Sequence, residues 1–326
     1  MQRILKIIRA SRRIIITTHV NPDGDAVGAS LGLFLGIRKW ASREEDWDPQ
    51  IRIVLEDKAP DTTAFLPYYE RLERWSSDEH YEGDLLICLD AADLKRLGKT
   101  AVLAEDHVVV NIDHHITNPG YGKYNYVKDI SSTSEIIFRL LQSAGAPLDT
   151  EIGECLYTGL VNDTGNFSHD NVTKDTLYMA GTLVGIGVDN AKIIREFLEN
   201  KSYGAIKLIG EALYYMQFYP EEKLAYYYLP YAEMIRHGGR KEDTESIVER
   251  LIEYNEAEAA LFIREEETGL LKGSMRSKVD SVDVAKIAGC FGGGGHKKAA
   301  GFTAKGTADA VLAKVLRQLS ENERKK

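Results

Sequence analysis

Two apolar runs in the first half of the chain each lead into an aspartate. Residues 85–89 are followed by Asp90, and residues 108–112, in which Asn111 is the one polar residue, are followed by Asp113. Apolar runs that do not alternate with polar residues are typical of strands that are covered on both faces, as in a parallel sheet. In an open parallel sheet, ligands bind outside the carboxyl ends of the strands. We therefore expect an α/β domain whose acidic groups converge at one sheet edge.

Two further polar groups fit the same edge. A β-branched run, residues 13–18, leads into His-Val-Asn-Pro-Asp-Gly-Asp at residues 19–25. The Asn-Pro-Asp-Gly segment predicts a turn, and Asp25 is expected to cap a helix over residues 26–40. The sequence Asn-Asp-Thr-Gly at residues 162–165 follows another predicted helix. Taken singly, each group also suits a polar turn or loop, but the combination favours a shared site.

The chemistry of that site is set by its charge. Asp23, Asp25, Asp90 and Asp163 would repel one another and would repel any phosphate. Two divalent cations would remove both problems, and a dinuclear centre indicates phosphoryl chemistry. Carboxylates combined with imidazoles suit Mn²⁺, with Mg²⁺, Co²⁺ or Fe²⁺ as substitutes.

Length and charge limit the alternatives. The 326 residues predict two domains, and the net charge of −9 argues against binding long duplex nucleic acid. A short anionic substrate fits better. The three cysteines form no CxxC pair and have apolar neighbours, so we expect buried, reduced thiols in a cytoplasmic protein. No apolar run approaches the length of a membrane span.

The pattern of predicted secondary structure changes near residue 185. The predicted organisation is an N-terminal domain at residues 1–187, with a mostly parallel sheet and helices on both faces. Linker helices follow at residues 188–222. A smaller α+β domain at residues 223–326 contains the glycine run 292–295.

The motifs together resemble those of the DHH phosphoesterase superfamily. They are Asn-Pro-Asp-Gly-Asp-Ala, Leu-Asp-Ala-Ala-Asp, Asp-His-His and Thr-Gly-Leu-Val-Asn-Asp-Thr-Gly-Asn-Phe. The glycine run with His296, followed by Ala-Ala-Gly-Phe, resembles a DHHA1 domain. The resemblance covers nearly the whole chain. Length and the absence of extra domains most resemble the nanoRNase/pAp phosphatase group, whose members trim very short RNA and dephosphorylate 3′-phosphoadenosine 5′-phosphate.

The resemblance implies a ligand set and two assisting residues. One metal ion would be held by His19, Asp23 and Asp90. The other would be held by Asp25, Asp90, His114 and Asp163, so that Asp90 bridges. A hydroxide between two metals ~3.5–4 Å apart would attack phosphorus in line. His115 would stabilise charge or protonate the leaving oxygen, and Asp113 would orient a histidine.

The second domain is expected to dock the substrate. A glycine run alone could be a flexible linker, and a lone arginine is usually a surface residue. The resemblance instead implies a substrate-binding set in a cleft between the domains: Arg276, Ser277, Gly293, Gly294, Gly295 and His296.

These features predict a manganese-dependent phosphodiesterase with two metal ions per chain. Its expected activities are exoribonuclease and 3′(2′),5′-bisphosphate nucleotidase. The expected substrates are short single-stranded RNA, dinucleotides and 3′,5′-bisphosphate nucleotides, without a membrane partner. A cyclic di-AMP or linear dinucleotide phosphodiesterase is the alternative, and a non-catalytic nucleotide sensor is a remote one. The oligomeric state, a homodimer included, stays open.

Overall fold

The computed structural model describes the backbone of residues 1–323 and the side chains of residues 1–320. Contacts divide the chain into two compact units, Met1–Asn200 and Lys201–Lys326. This division falls inside the predicted linker segment, 188–222. The predicted end of the second domain, at residue 326, lies outside the described residues.

The first unit contains a six-stranded sheet in which every paired neighbour is parallel. The strands are β1 (Arg13–Thr17), β2 (Gln50–Leu55), β3 (Leu72–Arg74), β4 (Leu85–Leu89), β5 (Val108–Asp113) and β6 (Tyr124–Val127). Their spatial order is β3-β2-β1-β4-β5-β6. The predicted parallel sheet is confirmed, and the three motif-bearing strands β1, β4 and β5 are neighbours.

Helices cover both faces of this sheet. They are α1 (Gln2–Ala10), α2 (Gly24–Ala41), α3 (Leu103–Asp106), α4 (Thr133–Ala144), α5 (Thr150–Asp163), α6 (Lys174–Gly185) and α7 (Asn190–Ile193). Shorter 3₁₀ or π-helical segments lie at Asp61–Thr63, Tyr69–Arg71, Leu94–Val102 and Ile194–Glu199. Ile14 and Ile16 face the core beneath α2, α4 and α5, whereas Ile15 faces the core that includes Leu97 and Leu103. This alternation explains why apolar residues occupy successive positions of the central strands.

Helix α2 lies directly against α5 because of its small residues. A Cβ atom on Gly28 would lie 2.4 Å from the carbonyl oxygen of Cys155, and one on Gly32 would lie 2.5 Å from Leu156 Cδ2. The close approach matters for the site, because Asp25 is on α2 and Asp163 is the last residue of α5.

The second unit contains a mixed six-stranded sheet. Its strands are β7 (Gln217–Tyr219), β8 (Leu224–Leu229), β9 (Ala259–Glu265), β10 (Leu271–Ser277), β11 (Gly294–His296) and β12 (Ala299–Ala304). The spatial order is β11-β12-β10-β9-β8-β7, and β8 pairs with β9 in parallel while the other pairs are antiparallel.

Helices also pack on both faces of this second sheet. They are α8 (Tyr203–Tyr214), α9 (Tyr231–Arg236), α10 (Ile247–Ile252), α11 (Val284–Gly289) and α12 (Ala308–Glu323), with a 3₁₀ turn at Lys241–Thr244. Met275 faces the core that contains residues of α11 and α12, and Phe262 faces the core that contains residues of α8, α9 and α10. The predicted α+β architecture is confirmed.

Helix α2 is not capped as expected. Asp23 is its N-cap and accepts hydrogen bonds from the backbone N–H groups of Asp25 and Ala26, at 3.0 and 3.1 Å. The prediction that Asp25 is the cap was wrong, because the Asp25 carboxylate is engaged by another helix.

The prediction that the cysteines are buried is confirmed for two of the three and wrong for the third. Cys88 and Cys155 are buried, whereas Cys290 is exposed because it follows the last residue of the short helix α11. Among the described helices, none is both long enough and apolar enough to cross a membrane.

Candidate metal centre

Three of the predicted metal-binding motifs follow the adjacent strands β1, β4 and β5. His19 comes two residues after β1, Asp90 comes directly after β4, and His114 comes directly after β5. Asp90 has a φ angle of +54°, and its N–H donates to the carbonyl oxygen of Ile112 at 3.1 Å. The backbone therefore leaves β4 in a left-handed turn that is tied to β5.

The first predicted ligand group comes together around His19. Its Nε2 lies 3.5 Å from Asp90 Oδ2 and 3.9 Å from Asp23 Oδ1. On the other side of the ring, Nδ1 lies 2.9 Å from the carbonyl oxygen of Val20. A carbonyl can only accept a hydrogen bond, so Nδ1 carries the proton. In the neutral ring, the Nε2 lone pair then faces the two carboxylates.

The second group comes together around His114. Its Nε2 lies 3.2 Å from Asp163 Oδ2 and 3.4 Å from Asp90 Oδ1. Asp25 completes this group, since its ligand atom and those of His114 and Asp163 all lie within 4.8 Å of one another. The two oxygens of Asp90 thus face different histidines. Asp90 is 3% exposed, and its side chain joins the two groups.

The N-terminus of α4 holds two of these carboxylates. The backbone N–H groups of Thr133 and Ser134 donate to the two oxygens of Asp25, at 2.7 and 2.9 Å. The Thr133 hydroxyl donates to Asp90 Oδ1 at 3.1 Å. Ser132 caps the helix by accepting a hydrogen bond from the backbone N–H of Glu135. The positioning role of Thr133 and Ser134 was missed, because a Ser/Thr run before a helix indicates only a cap.

The local charge explains why cations suit this site. The pKa of Asp163 is raised well above its ordinary value by burial and by the charges of Asp25, Asp23 and Asp90. The pKa of Asp25 is raised by burial and by the charge of Asp90. The pKa of His19 is raised even though burial opposes it, because the carboxylates of Asp23 and Asp90 beside the ring favour its protonated form. Crowded carboxylates beside imidazole lone pairs fit divalent cations.

His115 lies beside the centre and is held by Asp113. His115 Nδ1 is 2.7 Å from Asp113 Oδ1 and 3.7 Å from Asp90 Oδ1. Asp113 is fully buried, and its other oxygen accepts from Asn118 Nδ2 at 2.6 Å. Asn118 also donates to the carbonyl oxygen of Ala91. Asn118 was not predicted, because its distance in sequence from Ala91 gives no local signal.

In the second unit, two of the predicted docking residues share one row of the sheet. Ala299 on β12 pairs with Arg276 on β10 and with His296 on β11. Directly opposed residues lie on the same face, so Arg276 and His296 are two strand spacings apart, ~10 Å. Both lie on the face opposite Met275, which is fully buried.

Ser277 lies on the other face of the sheet. It is the next residue of β10 after Arg276, so its side chain points the opposite way. Its hydroxyl donates to the carbonyl oxygen of Val279 at 2.9 Å and accepts from the Val279 N–H at 3.2 Å. Ser277 therefore stabilises the turn that follows the end of β10. Ser274 lies on the same face as Arg276.

The glycine run connects α11 to the edge strand β11 and provides the first two residues of that strand. The N–H groups of Gly292 and Gly293 donate to carbonyl oxygens of α11. A Cβ atom on Gly293 would lie 2.2 Å from the carbonyl oxygen of Gly301, whereas one on Gly294 would meet nothing within 4 Å. Gly295 has a φ angle of +146°. Three of these glycines are thus needed by the backbone or its hydrogen bonds, and Gly294 is exposed.

Comparisons with known proteins agree with this geometry. The profile "DHH family, N-terminal domain" matches residues 13–160, and the profile "DHHA1 domain" matches residues 221–321. A protein of Thermus thermophilus named "Bifunctional oligoribonuclease and PAP phosphatase NrnA" is 32% identical, over 98% of this chain and 94% of the relative. The chain belongs to the DHH family.

Two further similarities extend over both units. The Bacillus subtilis "Bifunctional oligoribonuclease and PAP phosphatase NrnA" is 27% identical over 98% of this chain and 99% of its own length. A crystal structure of an "exopolyphosphatase-related protein" from Bacteroides fragilis matches with a TM-score of 0.90 and 28% identity, covering 99% of this chain and 96% of that one. The chain therefore has a DHH domain followed by a DHHA1 domain.

Proposed function

We propose that this protein is a two-metal phosphoesterase that hydrolyses short oligoribonucleotides to mononucleotides and 3′-phosphoadenosine 5′-phosphate to AMP. One observation carries the proposal: Asp90 lies between two histidine-containing groups of ligand atoms, with one carboxylate oxygen 3.5 Å from His19 Nε2 and the other 3.4 Å from His114 Nε2. The names of the Thermus and Bacillus relatives support the same pair of activities.

The metal ligands follow the two groups. His19, Asp23 and Asp90 would hold one ion, and Asp25, Asp90, His114 and Asp163 would hold the other. When bound, two Mn²⁺ ions would neutralise the carboxylates, polarise phosphoryl oxygens and activate water. The donor hydrogen bonds to Asp25 and Asp90 from α4 keep these carboxylates in place before any ion arrives.

His115 would act on the leaving oxygen. Asp113 accepts from its Nδ1 and fixes the orientation of the ring. Asn118 in turn donates to Asp113. These hydrogen bonds support a positioning role for Asp113 and Asn118 beside His115.

Arg276, His296 and Gly294 would dock the substrate. They lie on the same exposed part of the second sheet, where small residues allow a nucleotide to approach the backbone. Gly293 and Gly295 would shape β11, and Ser277 would close the end of β10. Arg276 can bind a phosphate bidentately.

The buried thiols of Cys88 and Cys155 support placing the enzyme in the cytoplasm.

The test is hydrolysis by the purified protein with Mn²⁺, with Mg²⁺ and after chelation. The substrates are a 5′-phosphorylated diribonucleotide, its cyclic counterpart and 3′-phosphoadenosine 5′-phosphate. We expect rapid cleavage of the linear dinucleotide, measurable release of phosphate from the bisphosphate, and loss of both on chelation. A strong preference for the cyclic dinucleotide would move the enzyme to second-messenger turnover. No hydrolysis of any substrate by metal-loaded protein would overturn the proposal.

Replacement of docking residues gives a second test. Arg276→Gln and His296→Ala should each raise KM for the dinucleotide about 10-fold, with kcat within about twofold, because a charged hydrogen bond to the ligand is lost. An unchanged KM would remove that residue from the docking surface.

A further inference from the structure

We propose that Glu249 is a positioning residue that holds Arg276 in the orientation needed to bind a substrate phosphate. This inference rests on the proposed docking role of Arg276. It adds a residue that lies on a different element and that touches the arginine instead of the substrate.

The contact between the two side chains is direct. Arg276 Nη2 donates to Glu249 Oε1 at 2.6 Å, and Nη1 donates to the carbonyl oxygen of Met275 at 2.9 Å. The guanidinium carries five N–H donors. Within the described residues these two acceptors are its only partners, so three donors remain for a ligand. The guanidinium is therefore held at two nitrogens and still has N–H groups that can bind a ligand.

Glu249 is well placed to hold its partner. It lies on α10, whose neighbouring residues Ile247, Val248 and Leu251 are buried in the core beneath β8 and β9. The helix is therefore anchored against the sheet at the strand next to β10. The second carboxylate oxygen, Oε2, is shielded from solvent and has no hydrogen-bond partner within the described residues. The carboxylate is thus committed to Arg276 through one oxygen.

Arg264 on the neighbouring strand β9 shows the opposite case. Its Nη1 donates to the carbonyl oxygen of Lys241 and to the Thr244 hydroxyl, and its Nη2 donates to Glu266. Its side chain is 13% exposed, compared with 31% for Arg276. Arg264 is an internal cross-link, whereas Arg276 keeps a solvent-accessible side for a ligand.

Holding the guanidinium in advance should improve substrate affinity. A long side chain that is already ordered loses less rotamer freedom when a phosphate binds. Without Glu249, Arg276 would keep only the bond to the carbonyl oxygen of Met275 and would sample more orientations. We therefore expect the effect of Glu249 to appear in KM and not in kcat, because the metal ligands are untouched.

The experiment compares Glu249→Ala, Glu249→Gln and Glu253→Ala, using the full chain, Mn²⁺ and the 5′-phosphorylated diribonucleotide. Glu253 is the matched control, since it pairs with Arg250 near the end of the same helix at an exposed position. Glu249→Ala should raise KM about 3- to 10-fold with kcat within about twofold. Glu249→Gln keeps an oxygen acceptor for Nη2 and should recover most of the affinity. Glu253→Ala should leave both constants unchanged.

A double-mutant cycle separates the outcomes. Glu249→Ala should have no further effect on KM in an Arg276→Gln background, because no guanidinium remains to be held. An equal effect in both backgrounds would mean a general structural role and would overturn the inference. So would an unchanged or lowered KM in Glu249→Ala alone, the latter because the carboxylate would then compete with phosphate. If Arg276→Gln itself leaves KM unchanged, the docking part of the proposed function fails first, and the inference falls with it.

Discussion

The metal centre of the first unit and the docking row of the second are built in different ways. The ligands of the centre lie at the ends of strands and helices, and they are mostly buried and tied by backbone hydrogen bonds. The docking residues lie along antiparallel strands, are partly or fully exposed, and are surrounded by glycine and alanine.

This difference shows that two kinds of sheet position their functional side chains by different means. In a parallel sheet, the direction of every strand sends its following residues to one edge, so a site forms wherever acidic groups follow strands. In an antiparallel sheet, the pairing register decides which residues are neighbours, and a shift of one residue sends a side chain to the other face. Loss of a carboxylate should therefore impair the metal centre, whereas changes in backbone conformation should impair substrate binding at the docking row.

The largest effect should come from Asp90→Ala. Since Asp90 belongs to both ligand groups, its loss should lower the hydrolysis rate at least about 1,000-fold, equivalent to ~4 kcal/mol of transition-state stabilisation. Metal content per chain after dialysis should fall in parallel. Asp46→Asn, at an exposed position of the same unit, is the control. Near-normal rate or metal content in Asp90→Ala would break the two-metal assignment.

A smaller effect should separate holding a metal from orienting a histidine. Asp113→Asn should lower kcat about 10- to 100-fold, the range typical of groups that orient active-site residues, while metal content stays unchanged. Asn118→Ala removes one donor to Asp113 but keeps the carboxylate, so its effect should have the same direction and a smaller size. If Asp113→Asn loses metal in step with activity, Asp113 is a ligand.

Two adjacent glycines test the docking row. Gly293→Ala would force a Cβ atom against the carbonyl oxygen of Gly301 and should lower the free energy of unfolding by about 1–3 kcal/mol. Gly294→Ala meets open space and should change stability by less than about 0.5 kcal/mol. It should nevertheless raise KM several-fold if nucleotides approach the backbone there. Thermal unfolding and KM measured on both variants would show which glycine serves the fold and which serves the ligand.

The smallest effect is expected from Ser277→Ala. Because its hydroxyl bonds with Val279 on the face away from Arg276, its loss should cost about 1 kcal/mol of stability. KM should stay within about twofold. A rise in KM comparable to that of Arg276→Gln would show that Ser277 contacts the substrate and that the strand end rearranges on binding.

Much of the fold was predictable from local patterns. The apolar runs at residues 85–89 and 108–112 predicted β4 and β5. The short strands β3, β6, β7 and β11 were not predicted. They have three or four residues each. Their conformation therefore depends on pairing with neighbouring strands more than on the β-propensity of their own residues.

The candidate site was predictable in membership and not in detail. The motif order identified the carboxylates and histidines, but it assigned the capping of α2 to Asp25 instead of Asp23. The partner that occupies Asp25 is the N-terminus of α4, more than 100 residues away in sequence. The roles of Thr133 and Glu249 depend on contacts 43 and 27 residues away, which no local pattern records.

The sequence by itself determined the types of the longer elements, the chemistry of the ligands and the family to which the chain belongs. These properties follow from side-chain type and from periodicities of two and 3.6 residues, which are local. Only the tertiary structure decided that β4 lies between β1 and β5, that the two oxygens of Asp90 face different histidines, and that Arg276 and His296 share one row of the second sheet. Those relations depend on strand order, register and helix packing, which bring together residues far apart along the chain.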